Sequence, residues 1–190
     1  NIVPVEDEDI SKQMERSLKK AGIKIMTNSS VERIDTTGSG VKAFVKTAKG
    51  EEVLEADILL SAVGIKTNIE NIGLEEVGIA TDKDKILVNA YNQTNIPGYY
   101  AIGDVTPGQA LAHVASAEGI NCVEKIAGLH VEPIDYGNVP GCTYATPEIA
   151  SVGLTEKQAK EKGYELKIGK FPFSASGKAK AAGTPDGFVK

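Results

Sequence analysis

Tyr99-Tyr100-Ala101-Ile102-Gly103-Asp104, followed after a short loop by Leu111-Ala112-His113, is the stretch on which the fold turns. Its first six residues spell a short buried strand that ends on an acid. Leu111 to Ala127 spells a helix closed by Gly128. Ligands of open α/β sheets bind outside the carboxyl ends of the strands, where such a loop lies. A helix start near Ala110, Leu111, Ala112 and His113 would present backbone N–H groups and the positive end of the helix dipole, which attract negative charge. Two readings of Asp104 are open at this level. Its carboxylate either accepts hydrogen bonds from a ligand hydroxyl or caps the next turn.

Upstream, Ile58-Leu59-Leu60-Ser61-Ala62-Val63 is apolar on both faces and stops at Gly64, which predicts a parallel strand buried on both sides. Gly64 at the end of such a strand either lets a cofactor approach the backbone or simply makes a turn. Val41, Ala43 and Val45 alternate with polar residues, and Lys49-Gly50-Glu51 turns that strand back into Glu52 to Ala56 as an antiparallel hairpin. Short strands are expected at Ile23 to Met26, Val31 to Ile34 and Ile86 to Val88. Asp7 to Ala21 reads as a helix, with acids at its start, Lys19-Lys20 near its end and Gly22 as the stop; Ile10, Met14, Leu18 and Ala21 fall on one face. Gly38, Gly40 and Ala43 fit the spacing of a pyrophosphate fingerprint. That motif needs a helix after it, and a strand follows here, so Gly38-Ser39-Gly40 is a hairpin turn.

Downstream, Cys142 to Tyr144 reads as extended. Thr155 opens a helix with Gln158 completing a capping box, Gly163 ends it, and Tyr164 to Phe173 returns as a strand.

The chain has 190 residues, enough for one large or two small domains. A net charge of −5 argues against nucleic acid or an anionic membrane surface as the main partner. No apolar run approaches the roughly 20 residues of a membrane-spanning helix, and the opening residues do not read as a signal peptide. Cys122 and Cys142 are too far apart for a metal knuckle or a CxxC pair and read as reduced, packing-type thiols of a cytoplasmic setting. His113 and His130 have no cysteine or carboxylate cluster at ligand spacing, so no metal site is expected. The first residue is not Met, and Asp186 to Lys190 reads as a strand just beginning. An internal piece of a longer protein is therefore expected.

Together, Tyr100 to Val105, Leu111-Ala112-His113 and Glu118-Gly119 resemble the second FAD-contacting segment of the flavin disulfide reductases, the class I pyridine nucleotide-disulfide oxidoreductases. Ser61 to Gly64 resembles the strand at which the NAD domain of that family hands the chain back to the FAD domain. Tyr144 to Gly153, continued by Phe171-Pro172-Phe173-Ser174, resembles the opening of its dimer-interface domain. The resemblance covers nearly the whole chain in the family's order. Leu111-Ala112-His113 after the Gly-Asp pair points to the branch that acts on dihydrolipoamide.

The resemblance implies an α/β fold made of parts of two dinucleotide-binding domains, for FAD and NAD, plus the start of an α+β dimerisation domain. The implied divisions are 1–64 for the C-terminal part of the NAD domain, 65–137 for the second FAD segment and 138–190 for the truncated interface domain. It further implies that Asp104 binds the ribityl or ribose side of FAD and that Ala110, Leu111, Ala112 and His113 lie beside the flavin. Gly64 and Val31 are implied to line the NAD pocket, Val31 near the adenine. The implied function is oxidation of protein-bound dihydrolipoamide through a redox disulfide and FAD, with NAD reduced to NADH by a cytoplasmic homodimer. Its partner is a lipoyl-bearing acyltransferase or a glycine-cleavage carrier protein. The alternatives are a glutathione- or mercuric-reductase-like enzyme, or a non-catalytic binding module on the same fold. The family's Gly-rich fingerprints, redox cysteine pair and proton-handling His–Glu pair are not in this chain, so no catalytic residue is assigned and the chain alone is expected to be inactive. Lys66-Thr67 stands where the family often has Arg and Pro.

Overall fold

Asp7 opens the first helix, α1 (Glu8–Lys20), by accepting a hydrogen bond from the amide of Asp9, and Gly22 beyond its end has φ +87°. Acids in its first turn and lysines in its last oppose the helix dipole, as the sequence predicts. Its buried face is Ser11, Met14 and Ser17, which shares only Met14 with the expected apolar stripe; Ile10 and Leu18 are half-buried. The computed structural model describes residues 1–190, Thr37 by its backbone alone. The chain divides into two compact units, one made of residues 1–62 and 140–190 and the other of residues 63–139.

After α1 come three antiparallel strands in the order β1 (Ser30–Thr37), β2 (Gly40–Thr47) and β3 (Gly50–Ala56). Two-residue turns join them, the first at Gly38-Ser39, so the apparent fingerprint is a hairpin turn as expected. Ala43 and Val45 are buried, which fits their alternation. A bulge between Val31 and Arg33 sets Val31 opposite Val45 and Ile34 opposite Ala43, and it sends Arg33 to the other face. There its guanidinium lies 3.7 Å from the centre of the Phe44 ring.

Two strands expected in this half of the chain are absent. Ile23 to Met26 is irregular, and so is Ile58 to Val63, where Ile58 is 85% and Val63 96% exposed. A strand that is apolar on both faces needs parallel neighbours and a layer on each side. Among the described residues every strand pairing is antiparallel. Gly64 therefore closes no strand.

The second unit holds a single-turn helix α2 (Leu74–Val77) between two left-handed glycines, a two-residue hairpin of β4 (Thr81–Asp82) and β5 (Lys85–Ile86), and the long helix α3 (Ala112–Ile126). The strand expected at Ile86 to Val88 is shorter than predicted. The buried strand expected at Tyr99 to Asp104 is a single bridge, Gln93 to Tyr100, running into a 3-10 turn at Gly103–Val105. Its backbone bonds go to the preceding loop instead, Ala101 donating to the carbonyl of Asn92 and Thr94 donating to that of Tyr99. On α3, Val114, Glu118 and Cys122 recur every four residues as the buried face. Leu129 and Gly128 close the helix by donating to the carbonyls of Glu124 and Lys125.

From residue 140 onward the chain belongs to the first unit again. It pairs β6 (Gly141–Thr143) with β7 (Ile149–Ser151) and then forms α4 (Glu156–Glu161). The capping box is present as predicted: Thr155 accepts from the Gln158 amide, and Gln158 accepts from the Thr155 amide. The strand expected over Tyr164 to Phe173 is confined to β8 (Phe171–Pro172). It pairs across the short helix α5 (Gly177–Ala181) with β9 (Phe188–Val189).

Candidate functional site

In the second unit the Gly103–Val105 turn is docked on α3, and the docking requires small residues. Gly103 has φ +73°, and a Cβ there would lie 3.2 Å from that of Ala115. One helical turn on, a Cβ on Gly119 would lie 3.3 Å from Cδ1 of Ile102. Glycine at these positions lets the turn come close to the helix.

The backbone around Asp104 is held from three sides. The Gly103 amide donates to Oε2 of Glu118 at 2.7 Å. The Gly103 carbonyl accepts from the amide of Thr106 at 2.9 Å and from its hydroxyl at 2.8 Å. The Asp104 carbonyl accepts from the ammonium of Lys85 at 2.6 Å. Asp104 itself is exposed. The sequence places it at the end of a strand, and the structure places it in a 3-10 turn, held by tertiary contacts rather than by a sheet.

Helix α3 begins at Ala112, with Leu111 in the capping position in an extended conformation and no side-chain cap. An aliphatic residue cannot satisfy the first amides of a helix, which leaves a positively polarised end. Ala110, Ala112 and His113 are exposed, and Leu111 is half-buried and accepts from Val114 and Ala115 through its carbonyl. The turn and the helix start, predicted separately from their residues, thus fall in one compact unit.

Glu118, which the sequence marks only as part of the family-like segment, has a bonding role that the sequence does not assign. It is 2% exposed, and its second carboxylate oxygen accepts from the hydroxyl of Tyr136 at 2.7 Å. Burial, with the hydrogen bond to Glu118 behind it, pushes the Tyr136 phenol up to about 12. The signal was present in the sequence, since Glu118 stands four residues from both Val114 and Cys122 on the core face of α3. Burial likewise raises the Cys122 thiol, which fits a packing role.

Gly64 has φ +125°, in a strongly exposed segment of the second unit, and a Cβ there would meet nothing within 4 Å. Just after it, Lys66 pairs with Glu70, and Thr67 donates to the carboxylate and the carbonyl of Asp84. The Thr67 amide is the main cause that holds the Asp84 carboxyl below its ordinary value. Val31, in the first unit, is 54% exposed on the face of β1 that carries Ile34.

No helix of the structure is long and apolar enough to cross a membrane. Residues 1–119 match the family model described as pyridine nucleotide-disulphide oxidoreductase, and residues 139–190 match that of its dimerisation domain. Over its whole length the chain is 48% identical to the dihydrolipoyl dehydrogenase of Rhizobium etli, covering 40% of that protein. It is 47% identical, again over its whole length, to the mitochondrial dihydrolipoyl dehydrogenase of Pisum sativum, covering 38% of it. A leghemoglobin reductase of Glycine max is also 47% identical, with 36% of that protein covered. Among solved structures, LpdA from Mycobacterium tuberculosis superposes with a TM-score of 0.88 at 28% identity, over 97% of this chain and 40% of that one. The HOCl-induced flavoprotein disulfide reductase RclA from Escherichia coli gives 0.88 at 27% identity, over 99% of this chain and 43% of that one. The chain thus spans about 40% of the length of such relatives.

Proposed function

The chain belongs to the pyridine nucleotide-disulphide oxidoreductase family, and from that premise we propose that the protein carrying it oxidises protein-bound dihydrolipoamide and reduces NAD. The dithiol gives up two electrons and two protons and becomes a disulfide. NAD⁺ takes up a hydride, and one proton is released. FAD, when bound, supplies the two-electron relay between the two. The observation that carries the reading is the exposed carboxylate of Asp104, on a turn fixed to α3 beside an uncapped helix start.

The residues present fit a flavin nucleotide. Asp104 offers an anionic acceptor for ribose or ribityl hydroxyls. The backbone beside it is tied down, so little order has to be imposed when a ligand arrives. The uncapped end of α3, at Ala110, Leu111, Ala112 and His113, offers positive potential to an electron-rich ring or a phosphate. Gly64 and Val31 are proposed to line the NAD pocket, on the strength of the family likeness alone.

In this reading residues 1–64 come from the NAD domain, 65–137 from the FAD domain and 138–190 from the dimerisation domain. The breaks between compact units at 62/63 and 139/140 and the start of the dimerisation match at residue 139 support the positions of these boundaries, with residues 1–62 and 140–190 sharing one unit. The protein acts as a homodimer in a reducing, cytoplasmic-type setting, which the free Cys122 and Cys142 support. Its partner is a lipoyl-bearing acyltransferase or a glycine-cleavage carrier protein.

The test is the purified full-length protein, assayed for NADH formation from dihydrolipoamide and for turnover of glutathione. Preference for dihydrolipoamide is expected, together with a flavin absorbance band. D104N is expected to raise the dissociation constant for FAD at least tenfold. A preference for glutathione overturns the substrate, and a colourless protein overturns the cofactor.

A further inference from the structure

We propose that Glu118 is the positioning residue of the nucleotide-binding turn: its buried carboxylate, bonded to the Gly103 amide on one oxygen and the Tyr136 hydroxyl on the other, sets where Asp104 is presented. This inference rests on the reading of Asp104 as the acid that receives FAD.

A carboxylate in the core face of a helix is costly, and a leucine or methionine between Val114 and Cys122 would pack there without that cost. Glu118 makes no ion pair among the described residues; two neutral donors hold it. Its place in the core is therefore explained by what it holds rather than by what it adds to packing. What it holds is the amide immediately before Asp104, on a residue whose left-handed backbone is already pressed against Ala115.

The other ties to this turn are of a different kind. Thr106 bonds within the turn itself, and Lys85 reaches the Asp104 carbonyl from a half-buried position on β5 with a flexible side chain. Among the described residues Glu118 is the α3 side chain that hydrogen-bonds this turn, adding a directional tie to the packing of Gly103 on Ala115, and Tyr136 then fixes the other carboxylate oxygen from the segment beyond α3. A carboxylate that loses one donor can swing about its χ angles; bonded at both oxygens it has one placement. The spacing between the Asp104 acid and the α3 start is thereby set by one side chain.

The experiment uses the full-length flavoprotein and its D104N, E118Q, Y136F and D104N/E118Q variants. FAD dissociation constants are read from flavin fluorescence, and protection of the Gly103 amide is read from hydrogen exchange. E118Q is expected to weaken FAD binding at least tenfold and to speed exchange at Gly103 at least tenfold, with Y136F intermediate in both. The double variant is expected to bind FAD within about twofold of the weaker single variant, because a positioning residue acts through the group it positions. If D104N weakens FAD binding while E118Q does not, or if the two losses multiply, the inference falls and the cofactor reading stands. If D104N leaves FAD binding unchanged, the reading of Asp104 falls and takes the inference with it. Should E118Q fail to fold, Y136F, which removes one hydroxyl, carries the test: unchanged Gly103 exchange and unchanged FAD affinity overturn the proposal.

Discussion

The ammonium of Lys190 lies 2.8 Å from the carboxylate of Asp7, a residue 183 positions earlier in the chain. It also reaches Asp9 at 2.9 Å and Glu156 at 2.6 Å, and it is only 12% exposed. Asp7 caps α1 with one oxygen and accepts the amide of Glu156, the first residue of α4, with the other. Two helix starts and three carboxylates thus converge on one lysine. The helix ends favour the carboxylates and would disfavour the ammonium; the carboxylates outnumber it and hold it.

Replacing that lysine is expected to be costly. K190M removes the one cation that Asp7, Asp9 and Glu156 share and leaves like charges facing one another. Breaking a fully buried pair costs about 3–5 kcal/mol and a surface pair about 0–1. For this partly buried site a loss of roughly 2 kcal/mol is expected, read from urea unfolding, with K190R much milder. A loss under about 0.5 kcal/mol for K190M would mean that the cluster behaves as a surface pair.

The same cluster predicts a loss of stability in acid. The hydrogen bond from Lys170, then that from Lys190, holds Asp9 at about 2 against an ordinary 3.8. At Asp7, burial pushes upward, and the Lys190 ammonium with the amides of Glu156 and Asp9 overcomes it, so the carboxyl is lowered. Lys160 and then Lys190 lower Glu156 from its ordinary 4.5. Groups lowered on folding give their full stabilisation above their unfolded values and lose it as pH falls through the folded ones. Urea midpoints are expected to be level just above pH 4.5 and to fall from there toward about 2. K190M should flatten that fall; an equally steep fall in the variant would assign it to other groups.

Tyr136 predicts the opposite limb. Its phenol is pushed from 10 up to about 12, first by burial and then by Glu118. A group raised on folding stabilises fully below its unfolded value and ceases to as pH rises through the folded one, here between 10 and about 12. In a phenolate absorbance titration the difference between wild type and Y136F should show one tyrosine ionising near the top of that range. Ionisation of that residue near 10 would mean that neither the burial of the phenol nor its bond to Glu118 holds in solution.

The two glycines at this contact, one on the turn and one on α3, should respond differently to alanine. G103A forces a side chain into left-handed backbone and against the rigid Cβ of Ala115, so a loss of about 1–3 kcal/mol is expected. G119A lies inside α3, where alanine gains about 0.5–1 kcal/mol in helix propensity, and its neighbour is the movable end of Ile102. It should be within about 0.5 kcal/mol of wild type or slightly more stable. Thermal unfolding of the pair checks the order, and equal losses would contradict the docking of the turn.

The features legible from residues in line are those whose physics is local. Asp7, the lysines and Gly22 bracket α1; Thr155 and Gln158 cap α4; Gly38-Ser39 turns a hairpin; and Leu111 to Gly128 delimits α3 to within a residue. In each case the donors and acceptors lie within a few positions of one another, so the sequence already contains both halves of the interaction. The order of motifs along the chain likewise carried the family.

What the sequence could not decide depends on partners distant along the chain. Ile58 to Val63 and Tyr99 to Asp104 have the composition of buried strands, yet a strand forms only where another backbone takes its hydrogen bonds, and that backbone is not specified by the run itself. Glu118 belongs to the segment that carries the family likeness, but its partners, the Gly103 amide and the Tyr136 hydroxyl, are set against it only by folding. Nothing adjoining Lys190 in the sequence marks the charge cluster that Asp7 and Glu156 form around it. Tertiary structure alone gave these charges their partners, because burial makes an ion's energy depend on what surrounds it in space rather than on what adjoins it in sequence.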